Sequence, residues 1–168
     1  YDQETADWWA RLSGFLLPAE NGRILDYGCG TGRFTRLLGE HFDAHGVDQS
    51  PEMLKRATGA SFAQIEDGRI PAPDDYFDVL WTCTVLQHVP DAELPAVAEI
   101  RRVLRPGALV LLCENTHGHS FRVSGSGHMI FRNPGEYASL FPGIVVVDEF
   151  IAESERHTVL RGYLEKAP

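Results

Sequence analysis

Residues 24–35 read Ile24-Leu25-Asp26-Tyr27-Gly28-Cys29-Gly30-Thr31-Gly32-Arg33-Phe34-Thr35, and the rest of the chain is organised around them. Ile24 and Leu25 close a short apolar run, the mark of a buried strand, and Asp26 follows at its carboxyl end. Gly28, Gly30 and Gly32 then alternate before an amphipathic stretch begins near Arg33. The order is strand, glycine turn, helix. Glycines at this spacing let the backbone turn sharply and approach a ligand with no Cβ in the way. The helix behind them aims free N–H groups at the same spot. A tight turn that binds nothing is the plain alternative, but three alternate glycines are costly in chain entropy without a ligand to admit.

Dinucleotides use Gly-x-Gly-x-x-Gly, with the pyrophosphate on the helix end. The third glycine of that pattern falls at position 33, which is Arg33, and a side chain there obstructs close helix–strand packing. The pattern present is Asp-x-Gly-x-Gly-x-Gly, from Asp26 to Gly32. It resembles the first motif of the class I S-adenosylmethionine-dependent methyltransferases. That ligand carries no pyrophosphate but an amino acid tail. The resemblance implies Asp26 near the ammonium end, directly or through water, and Gly28, Cys29, Gly30 and Gly32 around the tail.

The bulk numbers are those of an ordinary, acidic globular domain. A chain of 168 residues is expected to form one domain and buries enough surface for a real core. Hydrophobic content of 43% and charged content of 23% are ordinary for a globular protein. The net charge of −9 argues against non-specific binding to nucleic acid or anionic membranes. Cys29, Cys83 and Cys113 form no Cys-x-x-Cys pair and read as small, buried, reduced residues of a cytoplasmic protein. No signal peptide or long apolar span is seen, although residues ahead of Tyr1 are expected to be missing from the numbering.

Residues 1–17 show helical periodicity in Trp8, Leu12, Phe15 and Leu16. They form either a helix packed on the sheet or a flap over the cofactor, with Tyr1 and Trp9 as the flap residues. Residues 44–47 make a second strand ending in Asp48, twenty residues beyond Gly28. An acid at that tip accepts both ribose hydroxyls. The run Gly46-Val47-Asp48-Gln49-Ser50 is similar to the family's second motif, and Gln49 and Met53 then border the adenine. Ser50 is a good helix cap with Pro51 behind it. A third short strand, residues 62–65, ends in Glu66-Asp67-Gly68. The resemblance implies Glu66 as acceptor of the adenine amino group and the Asp67 N–H as donor to the ring, with a register uncertain by one residue. A solvated acidic turn is the alternative.

Residues 77–81 are an apolar fourth strand, suited to burial on both faces. Its tip, Thr82-Cys83-Thr84, lies beside the glycine turn where strand order reverses, and the backbone of Thr82 and Cys83 is placed to meet the methionine tail. His88 is the nearest imidazole in sequence to that point. It is either a general base or a brace of the loop. Some relatives carry Glu-His here and use the Glu for a metal, but this chain has Gln87. Asp91 caps a helix through Leu104, with Leu94, Val97, Ile100 and Leu104 on one face. Arg101, Arg102 and Arg105 near its end read as solvated. Leu104–Gly107 is a turn, and residues 108–112 form the fifth strand.

Residues 114–132 follow a strand's carboxyl end and are expected as a loop overhanging the pocket on the substrate side, the core of it at 116–132. His117, His119, His128, Arg122 and Arg132 make it the basic concentration of an acidic chain, which suits an anionic or hydroxyl-rich small molecule. The His117-x-His119 pair lacks a third ligand at known spacing, so no metal is assigned. A loop whose histidines do nothing is the alternative. Asn133 and Pro134 start a short helix, and residues 144–151 and 158–164 alternate as two antiparallel strands.

The expected architecture is an α/β, Rossmann-like, doubly wound seven-stranded sheet in order 3-2-1-4-5-7-6 with strand seven antiparallel. The resemblance implies methyl transfer from S-adenosylmethionine, with S-adenosylhomocysteine as product, to an oxygen, nitrogen or carbon nucleophile of a small molecule. His88, His117, His119 and His128 are the candidate bases. A non-catalytic cofactor-binding subunit and a nicotinamide-dependent oxidoreductase are the rival readings. No basic stripe or base-flipping motif points to nucleic acid.

Overall fold

The structure, a computed structural model, describes residues 2–89, 94–118, 121–123 and 129–167, with the backbone alone at 94 and 121–123. Five strands run parallel: β1 (Arg23–Tyr27), β2 (Asp43–Asp48), β3 (Ser61–Gln64), β4 (Phe77–Cys83) and β5 (Leu104–Asn115). After a small hairpin, β6 (Phe121–Val123) with β7 (Met129–Phe131), come β8 (Ile144–Ala152) and β9 (Glu155–Tyr163). β9 inserts antiparallel between β5 and β8. The sheet order is β3-β2-β1-β4-β5-β9-β8, the expected 3-2-1-4-5-7-6 once the small hairpin is set aside.

Alternation along the strands explains the two packed layers. Val79, Trp81 and Cys83 of β4, with Leu109, Leu111 and Cys113 of β5, face one side. There they meet Trp8 and Leu12 of α1 (Gln3–Leu12) and Phe34, Leu37 and Leu38 of α2 (Arg33–Leu38). Leu80 of β4 and Val110 and Leu112 of β5 face the other side. They meet Val97, Ile100 and Val103 of α4 (Leu94–Val103) and Tyr137 of α5 (Pro134–Leu140). A short α3 (Pro51–Leu54) follows β2. Each such buried side chain contributes about 1.5–3 kcal/mol against exposure. The period of two also fixes which layer receives the polar residues at the strand ends. Asp26 falls on the α2 side, and Thr82 and Glu114 on the α4–α5 side.

Several expectations are corrected. α1 ends at Leu12 and gives way to 3-10 turns at Ser13–Phe15 and Leu17–Ala19. α4 ends at Val103, and β5 starts at Leu104 with an irregular register between Phe77 and Val79 of β4. β5 also runs on to Asn115, because β9 pairs with it out to His157. β8 and β9 are longer than expected and joined only by Glu153 and Ser154, both at positive φ (51° and 65°), the backbone of a two-residue hairpin turn. Part of the expected 116–132 loop is the β6–β7 hairpin. Arg102 is not solvated: it bonds Glu99, Asp74 and the carbonyls of Ile70 and Ala72, tying the β3–β4 connection to α4. Arg105, by contrast, stays exposed as expected and pairs with Asp78 at 2.8 Å. The cap Asp91 lies outside the described residues.

Candidate active site

The glycine turn continues the sheet before it leaves it. The N–H groups of Gly28 and Cys29 both donate to the carbonyl of Val47 at 2.8 and 3.0 Å. Three glycines at positive φ then serve different ends. A Cβ on Gly28 would lie 2.4 Å from the Val85 side chain, and one on Gly32 would lie 2.5 Å from the Phe62 ring. These two are packing glycines. A Cβ on Gly30 would meet nothing within 4 Å, so Gly30 alone opens onto free space.

That space is a cleft of three adjoining hollows across the strand tips. The first, about 340 Å³, lies on the α2 side and is bordered by Asp26, Gly30, Arg33, Met53, Trp81 and Cys83. The middle one, about 210 Å³, is bordered by Tyr27, Gly28, Asp48, Gln49, Thr84 and His88. The third, about 480 Å³, is bordered by Gln49, Ile65, Asp67, Gly68, Ile70 and Glu99. Gly28, Thr84 and Val85 are shared by the first two hollows, and Tyr27, Gln49 and Ile65 by the last two. The cleft therefore straddles the end of the sheet, with Asp26 on one side and Tyr27 on the other.

Two acids command it. Asp48 accepts the Gly30 N–H at 2.9 Å through Oδ2 and the Ser50 N–H at 2.8 Å through Oδ1. Each oxygen keeps a second lone pair for a ligand. Ser50 in turn caps α3 by accepting the Met53 N–H. Asp26 is buried and accepts the Thr35 hydroxyl at 2.6 Å. Burial, with a smaller contribution from the Asp48 charge, pushes its carboxyl up to about 7. A buried carboxylate with one side-chain donor, bordering a hollow, is suited to a cationic ligand group that would hold it ionised.

The remaining sequence-predicted residues divide. Cys29 and Cys83 border the first hollow, and burial raises both thiols well above their ordinary range, which keeps them protonated. Met53, Gln49, Asp67 and Gly68 line the cleft, whereas Glu66 is exposed in the turn closed by Arg69 and is not among the lining residues. The Thr82 hydroxyl points away, to Glu114. His88 is exposed at the rim of the middle hollow. His117 is exposed too, edge-on to Phe131, and is absent from the residues lining the three hollows. His119, His128 and Tyr1 lie outside the described residues. Trp9 stacks on His41 and packs beside Trp81, which makes α1 a sheet-covering helix. The N–H of Asn115 donates to the Gln87 side-chain oxygen, a structural bond. Among the described residues no group of three or more His, Cys, Asp or Glu is arranged to hold a metal ion.

Sequence reading missed Tyr27, Ile65, Thr84 and Val85. Tyr27 and Thr84 sit between residues that were singled out. Thr84 takes φ 56°, unusual for a β-branched residue, with its N–H on the Cys113 carbonyl and its hydroxyl on the Cys83 carbonyl. It missed Glu114 as well, and it placed Arg132 among the substrate-facing cations, whereas Arg132 is buried on the carbonyls of Leu86 and Val89. Glu114 is buried in the α4–α5 layer and accepts the Thr82 hydroxyl at 2.8 Å and the Gln87 N–H at 3.4 Å. Burial pushes its carboxyl up to about 7 against the hydrogen bonds from Thr82 and the amides of Leu86, Val85 and Gln87.

A methyltransferase-domain family model matches residues 25–112, which run from the glycine turn to the end of the apolar part of β5. The chain belongs to the class I S-adenosylmethionine-dependent methyltransferases. An uncharacterized methyltransferase of Mycobacterium bovis is 38% identical over 123 residues, 69% of this chain and 46% of that protein. The 2-methyl-6-phytyl-1,4-hydroquinone methyltransferase of Synechocystis is 34% identical over 100 residues, 54% of this chain and 31% of that protein. The matched methyltransferase segment thus spans less than half the length of these relatives. The fold of the 1,6-didemethyltoxoflavin-N1-methyltransferase of Burkholderia thailandensis is similar, with a TM-score of 0.71 at 19% identity over 96% of this chain and 76% of that one. The cofactor of the family is S-adenosylmethionine, and the residues of the cleft fit it: an opening at Gly30, a buried acid for an ammonium, and a second acid with free lone pairs.

Proposed function

We propose that this chain is a catalytic methyltransferase domain that binds S-adenosylmethionine along the cleft and methylates a small molecule. The observation that carries the reading is that adjoining hollows run past Asp26, Asp48, Gly68 and Thr84, one feature from each of four neighbouring strand ends. Asp26 would take the ammonium of the amino acid tail, Asp48 the ribose hydroxyls, and Gln49, Ile65, Asp67 and Gly68 the adenine. The bound cofactor supplies a methyl group on a sulfonium whose departing thioether is already a good leaving group.

The protein's own work is then placement. Thr84 and Val85 wall the middle hollow and hold an acceptor atom in line, at about 3 Å, while excluding water. His88, at that hollow's rim, is placed to take a proton from a hydroxyl acceptor; a neutral amine needs no such base. Support for a small-molecule acceptor comes from the relative named for a hydroquinone, which makes hydroquinones the first compounds to test. The expected preference for an anionic acceptor loses one of its supports, because Arg132 is buried and bonds backbone carbonyls.

Thermal unfolding with each candidate ligand tests the reading. S-adenosylhomocysteine at about 100 times its Kd should add about 2.7 kcal/mol of stability. NADH should leave the transition where it is. The reverse pattern would overturn the assignment.

A further inference from the structure

The turn that carries the cleft wall is held from behind by two buried ionisable residues of opposite sign. The Glu114 carboxylate takes the Gln87 N–H at 3.4 Å and the Thr82 hydroxyl at 2.8 Å, with the Val85 and Leu86 amides turned toward it. The carbonyls at the other end of the turn are taken by Arg132, whose Nη1 donates to Leu86 at 2.8 Å and Nη2 to Val89 at 2.7 Å. Neither residue borders the three hollows. Both are almost wholly buried, at 0% and 4% exposure. Two ionisable groups taken this far out of water cost the fold free energy unless they are hydrogen-bonded, and here the turn of residues 84–89 supplies partners to both. The front of that turn is Thr84, Val85 and His88 in the middle hollow, with Val85 in the space that Gly28 leaves empty.

We propose that Glu114 and Arg132 are positioning residues that clamp residues 84–89 at its amide and carbonyl ends, and so fix the wall and the imidazole of the transfer site. Arg132 adds a second connection. It directly follows β7, it pairs with Thr116, and its carbonyl accepts the His117 N–H. β7 also packs on the Leu86–His88 turn. The β6–β7 hairpin and the turn at the cleft wall are therefore joined through one guanidinium. This rests on the cleft being the S-adenosylmethionine site.

The test uses the full chain and two readouts, amide hydrogen exchange over residues 84–89 and the Kd for S-adenosylhomocysteine measured well below the unfolding transition. Glu114→Gln puts an NH2 where an N–H must be accepted. It should speed exchange at Val85–Gln87 by roughly tenfold or more and weaken the ligand by about tenfold, with β1 and β2 exchanging as before. Thr82→Val keeps the volume and removes only one donor, and should do the same by roughly threefold. Arg132→Lys keeps the charge but not the paired donors, and should loosen the turn and Thr116–His117 together. Should Glu114→Gln not fold, the other two variants decide. Unchanged exchange in the folded variants overturns the clamp. Faster exchange with an unchanged Kd overturns its role at the site, since a merely structural support lowers stability without touching affinity. A wild-type protein that binds no S-adenosylhomocysteine overturns the proposed function, and with it the positioning role, whatever the exchange shows.

Discussion

Asp26 and Glu114 make an instructive pair. Both are fully buried carboxyls near the ends of parallel strands, and burial pushes both up to about 7. They lie in opposite layers. Asp26, on the α2 side, has the Thr35 hydroxyl as its side-chain donor and borders open space. Glu114, on the α4–α5 side, takes the Thr82 hydroxyl and the Gln87 N–H, away from the cleft. A raised pKa thus does not distinguish a binding group from a scaffold group; unfilled hydrogen-bonding capacity facing a cavity does.

The contrast is most easily broken at the open half. Asp48→Ala removes the brace on Gly30 and both acceptors proposed for ribose. Titration calorimetry should show S-adenosylhomocysteine weakened by about a hundredfold, the scale of two hydrogen bonds to a charged group. A drop of less than threefold would move the ligand elsewhere.

A smaller effect separates the two acids by pH. If Asp26 meets an ammonium, ligand binding requires its carboxylate, and below about pH 7 binding must expel a proton. Wild-type affinity should therefore rise with pH and level off above about 7. Asp26→Asn should bind about tenfold more weakly at pH 8 and show a much flatter profile. A variant as pH-sensitive as the wild type would place the titrating group somewhere else.

The smallest effect is on stability. Glu114 binds its proton more tightly folded, at about 7, than unfolded, near 4.5. Its contribution is whole below the unfolded value and is lost as pH rises through the folded one. His157, lowered by burial, works in the opposite sense below its ordinary 6.5. The informative quantity is thus the difference between wild type and Glu114→Gln. In urea unfolding, that difference should change between pH 5.5 and pH 8, with the wild type losing more stability than the variant over that interval.

How much of this could be read beforehand follows the same division. The apolar runs of β1, β4 and β5 announce strands buried on both faces, and Asp26, Asp48 and the glycines sit at their ends in local patterns. The two acids act through partners no more than 18 positions away, so spacing carries the information. Glu114 and Arg132 act through partners 27–46 positions away. An acid beside Asn115 and Thr116 looks like a solvated turn until β9 is known to pair with β5 as far as His157. Arg132 looks like a substrate-facing cation until the carbonyls of Leu86 and Val89 are brought to it. The same holds for Arg102, whose solvated reading fails because the β3–β4 connection folds back over it.

Thr84 carries a further implication for anyone reshaping this protein. A branched side chain in left-handed backbone stores of order 1–3 kcal/mol, and glycine there would release much of it. Selection for heat resistance would favour that exchange, and it would do so by softening the turn between β4 and the residues proposed to face the acceptor. On the proposed reading of the cleft, robustness and turnover are set against each other at a single codon.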